Sequence, residues 1–588
     1  MSDHETPRDG EDSTPDDSDL PPPEAYEVDE VRATGGRHTI EIRAGELAEA
    51  VDLAEAALLA ADAGIFQRGG QLVRVVQSDP PPRSAKNAVT RAIGTPIIVP
   101  LTREFLLLVL SRHVTFLRYD ARAEQLRRVD PPAMLAAMLL AAGEWQFRRL
   151  RGVVCAPTLR SDGSLLSAPG YDPDSGLLLW DDGTVWPEIN PRPSQSEASE
   201  ALAVLRDLLR EFEFVGGRGG PHESVALAAI ITATVRHALP IAPGFAVDAH
   251  KMGSGKTELV HTVSRVLTGR DASVMPLADT EEEIRKALLA LLIAGDPIAL
   301  IDNIEQPVSS AALNAALTSE MYRDRILGES RTVAVPTAAT FMFTGNNLQF
   351  VGDLTSRIMV SGLDPQCEQP GSREFNRDLK EYVMAHRAEL LGAALTIPLG
   401  YLTAGAPSRW SPSRFHAWDR LVRAPLQWLG CPDPLATQEE MRAVDPVRTS
   451  LLEMLQAWGD VFGDRPATVA EAINAASGPL QIGHPGLAAA IEQAGARDRG
   501  GAFNARSLGR WLARFVRRIE GGRRFERNGE DSATCRPRYR VVSVSGVSSV
   551  SPNGRAENGS DNYMGWAATN AENAGNAAGG IGAEEIPL

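Results

Sequence analysis

Residues 245–257 read Phe-Ala-Val-Asp-Ala-His-Lys-Met-Gly-Ser-Gly-Lys-Thr, and an amphipathic stretch follows over 258–267. An apolar strand therefore runs through a glycine turn into a helix. Such a turn lets backbone N–H groups close around phosphate oxygens at the positive end of the helix dipole. The Gly-x-Gly-Lys-Thr order predicts a nucleotide contact made by Gly253, Ser254, Gly255, Lys256, Thr257 and Glu258. Lys256 would reach the β- and γ-phosphates of ATP, and Thr257 would ligate Mg2+. His250 stands where such loops usually begin with glycine. The phosphate cradle lies downstream of it, so this departure weakens little.

A strand that ends on a phosphate loop belongs in a parallel sheet covered by helices on both faces. Residues 245–365 alternate strands and helices, which predicts a three-layer α/β core. Residues 297–302, Pro-Ile-Ala-Leu-Ile-Asp, read as a buried strand that delivers Asp302 beside the metal ion, the Walker B arrangement. The next residue is Asn303, where many ATPases place a glutamate that polarises water. An amide orients water but is a poor base, and Glu305 is the nearby substitute. Residues 339–344 form a third apolar strand, ending in Gly345-Asn346-Asn347. A polar amide there fits a sensor of the γ-phosphate or of the attacking water. Asn346 is favoured and Asn347 is the alternative; the plainer reading is an Asn-rich turn. Arg357 then sits where a ring ATPase carries the arginine that reaches a neighbour's nucleotide. A surface salt bridge is the alternative for Arg357.

A chain of 588 residues with 43% apolar content is long enough for two to four domains. No apolar run reaches membrane-spanning length, and the first residues are acidic rather than a signal peptide. A soluble, cytoplasmic protein is expected. The four cysteines are far apart and form no Cys-x-x-Cys pair, which fits reduced thiols and argues against a zinc ribbon. The net charge of −17 is unevenly spread. Residues 1–36 hold twelve acids and two arginines, and the tail from 545 is also acidic. Both read as disordered. Between them the expected organisation is a mixed α/β domain over 37–190, a helical linker over 194–240 and the ATPase core over 241–370. A helical lid over 371–445 and a basic module over 446–543 follow. Asp172, Asp174, Asp181 and Asp182 fall in Pro/Gly/Asp turns and read as turn residues rather than as metal-holding carboxylates.

Residues 498–540 carry twelve arginines against five acids. Leu508, Trp511, Leu512, Phe515 and Ile519 follow helical spacing, with Arg510, Arg514 and Arg517 on another face. Gly521-Gly522 would stop that helix. Residues 523–527 and 536–542 read as a hairpin that carries Arg523 and Arg524. Two helices, a basic helix and a hairpin give a winged-helix order, with the arginines placed for DNA phosphates.

Together these elements resemble the AAA+ ATPases. Within them they resemble the superfamily III helicases of phage, plasmid and integrated-element replication, in the primase–helicase C-terminal arrangement. The resemblance is carried by residues 317–328, 333–336, 346–347 and 352–357, and by 158–166 with 169–172. It spans roughly 155–430. It implies a hairpin between Walker B and sensor 1 that projects into a ring pore, with Arg325 and Arg331 flanking it and holding DNA. It also implies an ATP- and Mg2+-dependent homo-hexameric DNA helicase or translocase, acting on single-stranded or forked DNA away from membranes. Asn303 departs from the family pattern and leaves open an ATP-switched DNA-binding regulator that does not unwind. A small-molecule kinase is a third, weaker reading.

Overall fold

The computed structural model describes residues 37–79, 89–326, 331–373, 375–407, 413–443, 445–478, 483–498, 501–532 and 534–544. The two expected disordered tails lie outside the described residues, apart from residue 544. The chain divides into two compact units, residues 1–447 and 448–588.

The first unit is an α/β body built on a parallel sheet. Helices α1 (Gln195–Leu208) and α2 (Pro221–Val235) lead into strand β1 (Gly244–Ala249). Then come α3 (Lys256–Thr268), β2 (Ser273–Val274), α4 (Glu281–Ala294), β3 (Ile298–Ile304) and α5 (Ala311–Ala316). A hairpin of β4 (Met321–Arg325) and β5 (Thr332–Pro336) follows, then β6 (Thr340–Asn346), β7 (Ile358–Leu363) and the long α6 (Leu379–Thr403). Five of these strands pair in the order β2-β3-β6-β1-β7, all parallel. The central ones are apolar on both faces because helices cover both: Phe245, Ala246 and Val247 of β1 are buried, as are residues 298–301 of β3. Helix α4 starts where the Thr280 hydroxyl accepts from the Glu283 N–H, and it ends at Gly295, whose φ of 75° closes the last turn. β6 lies between β1 and β3, so the ends of the three strands that carry the sequence motifs are neighbours.

Residues 37–190 hold smaller sheets. One pairs His38–Glu41, Val114–Asp120 and Gln125–Val129, with helices Leu47–Ala60, Arg103–His113 and Ala133–Ala141 beside it. Another is formed by Phe66–Arg68, Gln71–Gln77 and Pro96–Pro100, in which Gly69 and Gly70 turn the expected hairpin with φ of 58° and 73°.

Arginines fasten this region to the parallel sheet. Arg68 donates to the carbonyls of Leu292 (3.0 Å) and Ile293 at the end of α4, where the helix dipole is negative. Arg91 chelates the fully buried Asp296 carboxylate at 2.7–3.0 Å, and the Ser273 hydroxyl also donates to Asp296. Removing one partner would strand a buried charge at about 3–5 kcal/mol. Arg387 of α6 reaches Asp182 (2.8 Å), Thr184 (2.9 Å) and the carbonyls of Cys155 (2.8 Å) and Leu267 (2.9 Å). Arg160 grips Asp172 with two bonds. Two of the four turn aspartates, Asp172 and Asp182, are thus held in ion pairs with arginine. Among the described residues no helix is long and apolar enough to cross a membrane.

In the second unit, α7 (Val469–Ala476) and α8 (Pro485–Gln493) precede α9 (Ala505–Phe515), and strands β8 (Arg523–Glu530) and β9 (Pro537–Ser543) form the hairpin. A short strand, Ala467–Thr468, adds a third member beside β9. Leu508, Leu512 and Phe515 are buried, as their spacing requires. The stripe was expected to run on to Ile519, and it does not. The helix ends at Phe515, Arg517 takes a left-handed φ of 69°, and Ile519 is 39% exposed. Arg517 therefore does not share a helical face with Arg510 and Arg514.

His237 is half-buried in the first unit. Burial, followed by the charge of Arg236, pushes its imidazole down to about 3. A Cβ at Gly152 would come within 2.5 Å of its ring, so the wall there is closed. A histidine depressed in the fold binds its proton more readily when unfolded. Stability is therefore full above the unfolded value near 6.5 and falls with acidification from there towards 3. The melting temperature is expected to drop between pH 7 and 5, above the range where most carboxylates titrate. His237→Asn should flatten that slope in scanning calorimetry.

Candidate nucleotide site

Gly253 (φ 73°) and Gly255 (φ 90°) hold the left-handed conformations that the loop needs. A Cβ at 253 would sit 3.1 Å from the Gly371 amide, and one at 255 would sit 3.5 Å from the Phe212 ring. The Ser254 hydroxyl donates to the Lys251 carbonyl at 2.8 Å and folds the loop on itself. Lys256 Nζ reaches back to the same carbonyl (3.2 Å) and across to Asn346 Oδ1 (2.8 Å). Burial draws the Lys256 ammonium below the usual lysine range, against the pull of Asp248 and Asp302. Nearby, burial raises the Asp248 carboxyl, which accepts from the Leu348 N–H at 3.1 Å.

The ends of β3 and β6 supply the facing wall. The β3–β6 register shifts between Ile301 and Ile304, and this irregularity carries Asp302 and Asn303. One Asp302 oxygen accepts from the Thr257 hydroxyl (3.0 Å), from the Thr344 hydroxyl and from the Asn303 N–H (3.0 Å). Asn303 takes a left-handed φ of 55°, and its amide donates to Glu305 Oε1 at 3.3 Å. Asn303 and Glu305 are both exposed. Asn347, also left-handed at φ 55°, bonds His250 Nδ1 at 2.8 Å rather than Lys256.

A cavity of about 680 Å³ opens over the loop, lined also by Phe212, Arg373, Phe375 and Arg377. Its size suits a nucleotide. Arg377 is committed to Asp207 (3.0 Å) and the Leu208 carbonyl (3.1 Å). Arg373 lies 5.2 Å over the Phe375 ring, and its buried Nε bonds nothing among the described residues. Glu258 lines the cavity but is ion-paired to Arg265 at 2.5 Å. The residues fit ATP and Mg2+. Lys256 and the loop amides suit phosphate, and the Thr257 hydroxyl and Asp302 carboxylate are hard oxygen donors. Among the described residues no group of three or more His, Cys, Asp or Glu could hold a metal. Two protein oxygens are the usual complement for Mg2+, which keeps water and phosphate oxygens as its other ligands.

Arg357 lies apart from this cavity. It follows the turn Gly352–Ser356, is 13% exposed, and donates to Asn314 Oδ1 (2.7 Å), the Asn314 carbonyl (3.0 Å) and Asp353 (3.1 Å). Beside it Ser356, Arg414 and Arg442 line a separate cavity of about 320 Å³. In the hairpin, Arg285 of α4 bonds Asp324 and anchors β4, while Arg325 points outward opposite Thr332. The Arg331 carbonyl accepts from the Ile326 N–H at 3.0 Å, and residues 327–330 are outside the described set. In the second unit Arg510, Arg514, Arg517 and Arg523 are exposed, whereas Arg524 is half-buried and paired with Glu526 at 2.6 Å.

Sequence reasoning passed over Thr344, Phe212 and Arg373. The hydroxyl of Thr344, two residues before Asn346, was the one available signal. Phe212 and Arg373 come from the linker and lid, where no motif marks them.

No protein-family profile matches the chain, and no curated protein matches it. Among solved structures, it is similar to the apo C-terminal region of NrS-1, with 12% identity, 75% of this chain and 99% of that chain covered, and a TM-score of 0.30. It is also similar to the SCCmec type IV Cch active helicase, with 10% identity, 82% and 97% coverage and a TM-score of 0.31. A third is the JCV helicase bound to a thiazolopyridine compound, with 15% identity, 42% and 72% coverage and a TM-score of 0.18. Likeness at this distance assigns no activity.

The geometry predicts that Lys256→Ala weakens binding of a fluorescent ATP analogue at least tenfold while the melting temperature holds. Thr344→Val should instead raise the Mg2+ concentration needed for binding, because Thr344 helps to hold Asp302. Unchanged affinity in Lys256→Ala would overturn the site.

Proposed function

We propose that this chain is an ATP-dependent, ring-forming DNA helicase or translocase of AAA+ type, serving replication of a phage, plasmid or integrated element. The observation that carries the nucleotide part is the meeting of Lys256, Thr257, Asp302 and Asn346 at the ends of β1, β3 and β6. The sheet order supports it: the strand bearing the amide sits between the loop strand and the acid strand.

In this reading Lys256 and the loop amides hold the β- and γ-phosphates of ATP. Thr257 and Asp302 hold Mg2+, which when bound offsets charge on the phosphates. Asn346 and Asn303 orient the attacking water. Glu305, already bonded to the Asn303 amide, accepts its proton. Arg357 serves a neighbour's nucleotide in a homo-hexamer by exchanging its bonds to Asn314 and Asp353 for phosphate oxygens. Arg325 and Arg331 flank the hairpin that grips DNA. Arg510 and Arg514 on α9, with the exposed Arg517 and Arg523, contact DNA phosphates in the second unit, and Arg524 joins them by releasing Glu526.

The second reading is an ATP-switched DNA-binding regulator, favoured by Asn303 in place of an acid. A forked-duplex strand-displacement assay, run beside ATP turnover with and without single-stranded DNA, separates the two. ATP-dependent strand separation is expected, lost in Lys256→Ala. DNA-stimulated turnover without separation selects the regulator. No turnover under any condition overturns the helicase reading, and no ATP binding overturns both.

A further inference from the structure

A cavity of about 590 Å³ lies where residues 149–176 and the Gly69-Gly70 turn meet the outward face of the β4–β5 hairpin. None of the site residues assigned above lines it. Arg149, Arg151 and Tyr171 form one wall; Met321, Ala334 and Pro336 form the other. The Gly69 turn is pressed onto β5, since a Cβ there would sit 3.2 Å from the Ala334 carbonyl. Arg68, half-buried and bonded to the Leu292 carbonyl, fixes that turn. Both walls therefore belong to one packed body.

The chemistry of the walls is mixed aromatic and cationic. Tyr171 donates to the Arg149 carbonyl at 3.0 Å and leans on Phe66, with ring centroids 5.7 Å apart. Arg148 Cζ lies 5.4 Å from the Tyr171 ring centroid. Arg149 is exposed and makes no ion pair among the described residues. Arg151 is tied to Glu320 at 2.8 Å, and Asp174 also lines the cavity. Alternation along β4 extends the same surface. Tyr322 and Asp324 turn inward, while Met321, Arg323 and Arg325 are exposed. Arg323 has no ion pair among the described residues, and its partner across the hairpin is the small Ala334. From Met321 to Arg325 the strand covers about 13 Å at roughly 3.3 Å per residue.

We propose that this cavity takes a nucleotide of single-stranded nucleic acid, with its base against Tyr171, its phosphate on Arg149, and the strand continuing past Arg323. Aromatic faces beside guanidinium groups suit single strands of any sequence, because every base has a π-face. At about 590 Å³ the cavity is nucleotide-sized. The proposal rests on the helicase reading in one respect only: the strand reaches the cavity from the hairpin.

The test uses the full chain, with Tyr171→Ala and Arg149→Glu variants checked for folding by thermal melting. Binding of fluorescein-labelled oligothymidylate is followed by anisotropy over a salt series. Photo-crosslinks from a 5-iododeoxyuridine oligonucleotide are mapped by mass spectrometry. The dissociation constant is expected to rise at least fivefold in Tyr171→Ala and about tenfold in Arg149→Glu. The slope of log affinity against log salt should lose about one unit in Arg149→Glu, and crosslinks should fall on Tyr171. Wild-type affinity in both folded variants, with crosslinks confined to the hairpin or to residues 448–544, overturns the cavity and leaves the helicase reading standing. Absence of oligonucleotide binding by the wild-type chain overturns both. Preferential binding of an acidic phosphopeptide at Arg149 overturns the cavity alone.

Discussion

One oxygen of the Asp302 carboxylate accepts hydrogen bonds from a helix hydroxyl, a strand hydroxyl and a backbone amide. Thr257 brings the start of α3, Thr344 brings β6, and the Asn303 N–H closes the irregular end of β3. A carboxylate so surrounded keeps its acceptor sites directed and its rotamer fixed. It ties the start of α3 to β6 through Thr257 and Thr344, while Lys256 bonds Asn346 directly across the same gap. β6 between β1 and β3 makes the meeting possible, since it puts three strand ends on one rim of the sheet.

Much of this rim was legible in the sequence. Asp302 and Asn346 stand at the ends of apolar runs, and Lys256 and Thr257 follow another such run across a glycine turn; apolar runs of that length make buried parallel strands. Their side chains meet because such strands pair in register. What the sequence could not carry is contact between distant segments. The spacing of Arg357 said nothing of Asn314, which holds it from α5. Ile519 continued a helical period on paper, but a left-handed Arg517 ended the helix first. Phe212 and Arg373 lie in stretches that read only as helical linker and lid, and only the fold brings them over the glycine loop.

Buried and half-buried arginines recur as fasteners in the first unit. Arg236 donates to the carbonyls of Ala339 (3.0 Å), Leu239 (2.7 Å) and Thr337, and burial draws its guanidinium down to about 10. Arg68 does the same at the end of α4. A guanidinium offers five donors in a rigid fork, so one side chain satisfies several carbonyls that loops would otherwise leave unpaired. A lysine at these positions would carry the charge without the fork. Irregular segments can thereby pack against a parallel sheet without adding strands to it.

Helix α6 begins at the cavity, where Leu379 and Lys380 line it, and runs 25 residues to Thr403. At about 1.5 Å per residue, Arg387 lies about 12 Å from the cavity end and about 24 Å from the far end. Five groups from other segments hold Arg387 in place. Beyond that anchor most residues from Leu390 to Tyr401 are buried, so the element that carries one rim of the cavity is rooted in the core along its far half.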